Sequence, residues 1–73
     1  MGMKQLRQAK SLRTVDVASR VGVAESTVRN WEYGKTTPKL RADQFKDLLD
    51  LYEIDFDQLI EAIKDSQGGK IHA

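Results

Sequence analysis

Across residues 14–33 the chain reads TVDVASRVGVAESTVRNWEY, and its apolar positions fall into two helical stripes separated by a single glycine. Val17, Ala18 and Val21 recur every three or four residues, which puts them on one face of a helix. Ala18 is small, as a close crossing by a second helix requires. Gly22 follows, and a residue without Cβ can take the left-handed conformation that ends a helix and swings the chain round. Val23 then packs the turn. Val28 and Trp31, three apart, give the next helix its own inward stripe, while its other positions, Glu25, Ser26, Thr27, Arg29 and Asn30, are polar. The pattern predicts a second helix over residues 14–21 with Thr14 as N-cap. A third helix is predicted over residues 24–33, stopped by Gly34 and weakly capped, because Ala24 has no side-chain acceptor.

The rest of the chain follows the same period. A first helix is predicted over residues 4–10, with Leu6 and Ala9 inward and Leu12 closing the turn after it. The stretch KTTPKL at residues 35–40 reads as a loop, since Pro38 keeps Thr37 out of the helical region. Phe45, Leu48, Leu49 and Tyr52 stand at i, i+3, i+4 and i+7 and predict a fourth helix over residues 41–52 with these as core. Asp55 followed by Gln58 resembles a capping box with Asp in place of Ser or Thr. It opens a fifth helix, predicted to run to residue 65, whose apolar face is Phe56, Leu59, Ile60 and Ile63. Residues 66–73, with Gly68 and Gly69, read as a frayed tail. The expected architecture is therefore all-α, one five-helix domain over residues 1–65 and a flexible tail over residues 66–73, with no strand alternation and no internal repeat.

At 73 residues the chain is near the lower limit for a core without staples. It has no cysteine, which excludes disulfides and thiolate metal sites. Its one histidine, His72, stands alone near the end, and no nucleophile, base and orienter cluster, so neither an enzyme nor a metal or cofactor site is expected. No apolar run approaches the roughly 18 residues of a membrane span, and the N-terminus lacks the apolar core of a secretory signal; the expected compartment is the cytoplasm. The net charge of +1 conceals a division. Residues 1–42 carry nine Lys/Arg and three acids, a net of +6, whereas residues 43–73 carry three Lys/Arg and eight acids, a net of −5. A basic half that contains the two-helix pattern suits a polyanion, with the acidic half turned away.

Five short helices, the second and third joined by a glycine turn, resemble the lambda-repressor-like family of phage and bacterial regulators, also called Cro or Xre. LRQAK at residues 6–10 looks like the family's first helix, and WEYGKTTP at residues 31–38 looks like its exit from the third. The resemblance covers residues 6–63. It implies a helix-turn-helix whose third helix enters the major groove of double-stranded DNA, and a regulator of transcription, expected to be a repressor acting at an operator. It also implies that Arg7 and Glu32 form a structural ion pair between the first and third helices, leaving Glu32 as scaffold.

Base reading then falls to Glu25, Ser26, Thr27, Arg29 and Asn30. Arg29 suits guanine O6 and N7, Asn30 suits adenine N6 and N7, and Ser26 and Thr27 can meet a base or a phosphate. Glu25 can accept from cytosine N4 or orient Arg29 at i+4. Phosphate contacts are expected from Arg13 and Thr14 at the start of the second helix, and from Tyr33, Lys35, Thr36, Thr37 and Lys39 beyond the third. Thr14 stands where family members usually carry Gln, which braces the DNA backbone and the recognition helix; Thr is shorter. Two copies on half-sites one helical turn apart are expected, joined as a homodimer through the fifth helix, with one or two of Phe56, Leu59, Ile60 and Ile63 left for the interface. The alternative is a protein-interaction module, such as an antitoxin that also binds DNA, with its partner on helices four and five.

Overall fold

Helical periodicity and two left-handed glycines set the order of the first three elements. The structure, a computed structural model, describes residues 1–71, with side chains through Gly68. The elements are α1 (Met3–Ala9), α2 (Thr14–Val21), α3 (Glu25–Glu32), α4 (Ala42–Tyr52) and α5 (Phe56–Ile71). The fold is all-α, with no strand among the described residues. At the end of α2, Gly22 has φ +85°, and its N–H and that of Val23 both donate to the Ala18 carbonyl, at 2.8 and 3.0 Å. Together these bonds satisfy a carbonyl in the last turn of α2. α3 packs on α2 across this turn, α4 also packs on α2, and α5 packs on α1 and α3.

Val17, Val28, Leu48, Leu59 and Met3 are fully buried at the centre, with Trp31 and Tyr52 at 2% exposure. Burying each such side chain stabilises by about 1.5 to 3 kcal/mol. α1 departs from the expected register. It starts at Met3, which is buried, and ends at Ala9, which is exposed. Its inward stripe is therefore Met3 and Leu6, three apart, and Ala9 faces solvent just before the chain turns at Ser11, φ +56°.

The Asp55 and Gln58 box is formed in both directions. The Gln58 N–H donates to Asp55 Oδ1 and the Asp55 N–H to Gln58 Oε1, each at 2.8 Å. Asp55→Ala should cost about 1 kcal/mol of stability, read as a lower urea midpoint with an unchanged slope.

α5 does not stop at residue 65. It continues through Ile71, so the segment from residue 66 expected to be a tail is helical, and residues 72–73 lie outside the described residues. Glycine costs a helix about 1 kcal/mol relative to alanine, and here tertiary contacts offset it. Ser66 Oγ accepts the Met3 N–H at 2.8 Å, which satisfies an open amide at the start of α1. Gly34, at φ +74°, lies against the Ser66 and Gln67 backbone, so close that a Cβ there would stand 2.5 Å from the Ser66 carbonyl oxygen. The apolar face of α5 is also shared differently from the expectation. Leu59 and Ala62 are buried and Ile63 half-buried, whereas Phe56 and Ile60 are 49% and 40% exposed.

Candidate nucleic-acid interface

α3 is an eight-residue helix, about 12 Å long at 1.5 Å per residue. Val28 and Trp31 anchor it from beneath. Ser26 and Arg29 on its opposite side are exposed, and Glu25, Thr27 and Asn30 are half-buried along the edges. All five residues expected to read bases thus lie on one short helix with its apolar stripe in the core. Ala24 is the N-cap and provides no side-chain bond, while its carbonyl accepts from Thr27 and Val28 at 3.0 and 3.3 Å. Glu25, the first helical residue, sets its own carboxylate at the positive end of α3.

Thr14 is not the N-cap of α2. That position belongs to Arg13, whose N–H donates to Asp16 Oδ2 at 2.8 Å, so Asp16 satisfies the helix start by reaching back one turn. The Arg13 guanidinium folds onto the same carboxylate at 2.9 and 3.1 Å but remains largely exposed. Its hydrogen bonds hold Asp16 below the usual carboxylate range. Thr14 is the first helical residue and turns its hydroxyl across to α3, where Oγ1 donates to Glu25 Oε1 at 2.9 Å. Arg29 Nη1 donates to that same oxygen at 2.6 Å. The Thr14 hydroxyl, and then Arg29, hold Glu25 below its ordinary pKa. A carboxyl so depressed keeps its charge at neutral pH and loses these partners only as the pH falls through its lowered folded value.

On the far side of α3 the chain leaves through Tyr33 and Gly34, and the N–H groups of Lys35 and Thr36 fold back onto the Asn30 carbonyl at 3.0 and 3.4 Å. Tyr33, Lys35, Thr36 and Lys39 are exposed and Thr37 is half-buried, which gives a hydroxyl and ammonium rim beside the helix. Lys35 Nζ stands 5.9 Å from the centre of the Tyr33 ring. Pro38, read from the sequence as a helix breaker and as the end of the exit motif, is buried and pins this loop to the body.

Arg7 and Glu32 lie away from this face and meet in two parallel bonds, Nε to Oε2 at 2.6 Å and Nη2 to Oε1 at 3.0 Å. Arg7 Nη1 also donates to the Leu12 carbonyl at 2.9 Å, so one guanidinium ties α1, the following turn and α3 together. The two side chains are 13% and 5% exposed. The Tyr52 hydroxyl is buried with no hydrogen-bond partner among the described residues, and burial pushes its pKa up.

Two brackets escaped the sequence reading. Ser66 caps α1, which no local pattern announces. Gln44 accepts from the Arg41 N–H at 3.0 Å and donates to the Val21 carbonyl at 3.3 Å, fastening α4 to the end of α2. The reach-back half was legible from the spacing, because a Gln at the third helical position is a known cap partner.

Among the described residues no group of three or more His, Cys, Asp or Glu could hold a metal ion, and His72 lies outside them. No helix is long and apolar enough to cross a membrane, again among the described residues.

A short polar helix presented outward across a glycine turn, with hydroxyls and ammonium groups beside it, defines a DNA-binding domain of the helix-turn-helix class. The chain belongs to the helix-turn-helix domain family, whose model matches residues 3–63. That agrees with the resemblance to the lambda-repressor-like proteins. No curated protein and no solved structure matches the chain.

Proposed function

We propose that this protein is a cytoplasmic, sequence-specific regulator of transcription that lays α3 in the major groove of an operator and represses by occupying it. The observation that carries this reading is the outward polar edge of α3 over a buried Val28 and Trp31. Base contacts fall to Glu25, Ser26, Thr27, Arg29 and Asn30, and phosphate contacts to Arg13, the start of α2, Tyr33, Lys35, Thr36, Thr37 and Lys39. The Thr14 hydroxyl has one proton, and in the free protein it donates its hydrogen bond to Glu25. The protein acts as a binding module and carries out no chemistry of its own. Selecting bound sites from random duplexes and measuring affinity against salt tests the reading. Six to ten phosphate contacts lower affinity by about 10³ to 10⁵ between roughly 50 and 200 mM salt; an affinity indifferent to salt refutes it.

One such unit buries only about 600 to 1,000 Å² on DNA, so two copies on adjacent half-sites fit the function better than one. Phe56 and Ile60, open to solvent on α5, are the residues we assign to the contact between copies. Phe56 also packs at a tilt against Phe45, ring centres 5.4 Å apart, which extends the apolar surface onto α4. Phe56→Glu should leave binding to a single half-site intact and abolish the added affinity for a palindromic site, measured by titration of the two duplexes. The same surface would serve a heterologous protein partner, the antitoxin-like alternative, and a palindromic enriched site favours the homodimer over it.

A further inference from the structure

Glu25 Oε1 is the point at which the two helices of the motif are joined by side chains. It accepts from Thr14 on α2 at 2.9 Å and from Arg29, one turn further along α3, at 2.6 Å. A threonine hydroxyl has a single proton. While it holds Glu25 it has none to donate to a phosphate, the role that the start of α2 first suggests. Arg29 uses one nitrogen on Glu25, and the remainder of its planar fork stays available; its side chain is 44% exposed. A long side chain held in place before binding loses less freedom when it binds. The reading face therefore presents a pre-aimed guanidinium, and part of what aims it lies outside the reading helix.

We propose that Thr14, Glu25 and Arg29 act as one base-reading unit, in which the Thr14 hydroxyl fixes the Glu25 carboxylate, the carboxylate fixes Arg29, and Arg29 reads a guanine. This rests on the proposed DNA binding and assigns its base chemistry. Thr14 and Glu25 are positioning residues, and a change on α2 alters which base α3 selects. Guanine is the base because its O6 and N7 both accept, matching a fork that can only donate.

The test uses sites selected by the full chain from random duplexes, with each guanine replaced in turn by an analogue lacking the N7 acceptor. The unmodified protein should lose about 10-fold in affinity at one guanine in each half-site, and Arg29→Ala should lose nothing more there. Thr14→Val keeps the shape and removes the hydroxyl. It should cut that penalty to about two- or three-fold and leave affinity for unrelated duplexes unchanged, whereas Thr14→Ser should restore the full penalty. Helical circular dichroism and melting of each variant confirm that it is folded. A full guanine penalty in Thr14→Val overturns the unit, as does an equal loss of affinity for every duplex, enriched or not, which would make Thr14 a phosphate ligand instead. Enriched sites with no preferred guanine overturn it as well. Failure of the wider reading has a different signature: no enriched sequence and no salt dependence in the unmodified protein.

Discussion

Gly34→Ala should destabilise the fold by about 2 to 4 kcal/mol, a large part of the roughly 5 to 15 kcal/mol available to a small domain. Two causes add. Gly34 has φ +74°, a conformation in which a Cβ costs about 1 to 2 kcal/mol. The new methyl would also stand 2.5 Å from the Ser66 carbonyl oxygen and 3.0 Å from the Gln67 Cα. These are backbone atoms of α5, which cannot rotate aside as a side-chain tip can, so α5 must shift away from the exit of α3. Ser66 would move with it and withdraw from the Met3 N–H. Urea denaturation should show a much lower midpoint. Gly22→Ala is the control that separates the two causes. It has a similar φ, +85°, but the nearest atom to a new Cβ is a flexible Gln44 side-chain nitrogen at 3.9 Å, so it should cost only the conformational part. Equal losses at the two glycines would show that the contact with α5 contributes nothing.

Glu32→Ala should cost about 3 kcal/mol, close to the range for removing one partner of a buried ion pair. Glu32 provides two of the three acceptors for Arg7, and without it the guanidinium keeps only the Leu12 carbonyl in a site where its side chain is 13% exposed. The attraction in an intact pair is largely offset by desolvation, so most of the loss is the cost of stranding the charge. The double change Arg7→Met with Glu32→Leu should therefore recover more than half of the loss. A complete double-mutant cycle in urea measures this coupling. A double variant no more stable than Glu32→Ala would mean that the pair itself, and not the stranded charge, carries the energy.

The parts of this fold that were legible in the sequence are those decided within one or two helical turns. Val17, Ala18 and Val21, Gly22, then Val28 and Trp31 place α2, its turn and α3 without reference to the rest of the chain. Asp55 and Gln58 act on each other across three residues, and their box formed as expected. What escaped depends on distant partners. Ala9 and Met3 are equivalent by spacing, and only the placement of α1 under α5 decides that Met3 goes inside. Gly68 and Gly69 argue for a tail on propensity, yet α5 continues because its backbone is held against Gly34 and its Ser66 against Met3. On α5 the sequence shows four apolar residues without showing which are covered; Leu59 faces the body, and Phe56 and Ile60 do not. Thr14 illustrates the same limit within the candidate site. Its position in the chain suggests a cap or an anion contact, and its actual partner, Glu25, lies on the next helix.

The uneven placement of charge along the chain bears on how quickly a target is found. The acids of residues 43–73 lie on or beside α4 and α5, and the excess cations belong to residues 1–42, which hold α2 and α3. A particle polarised in this way experiences a torque near a polyanion and turns its cationic pole inward while still diffusing. More of its collisions then arrive in a productive orientation. Added electrolyte should accordingly slow capture as well as shorten residence, and reversing acids on the trailing pole should lower the fraction of useful encounters even though no contact in the final complex is touched.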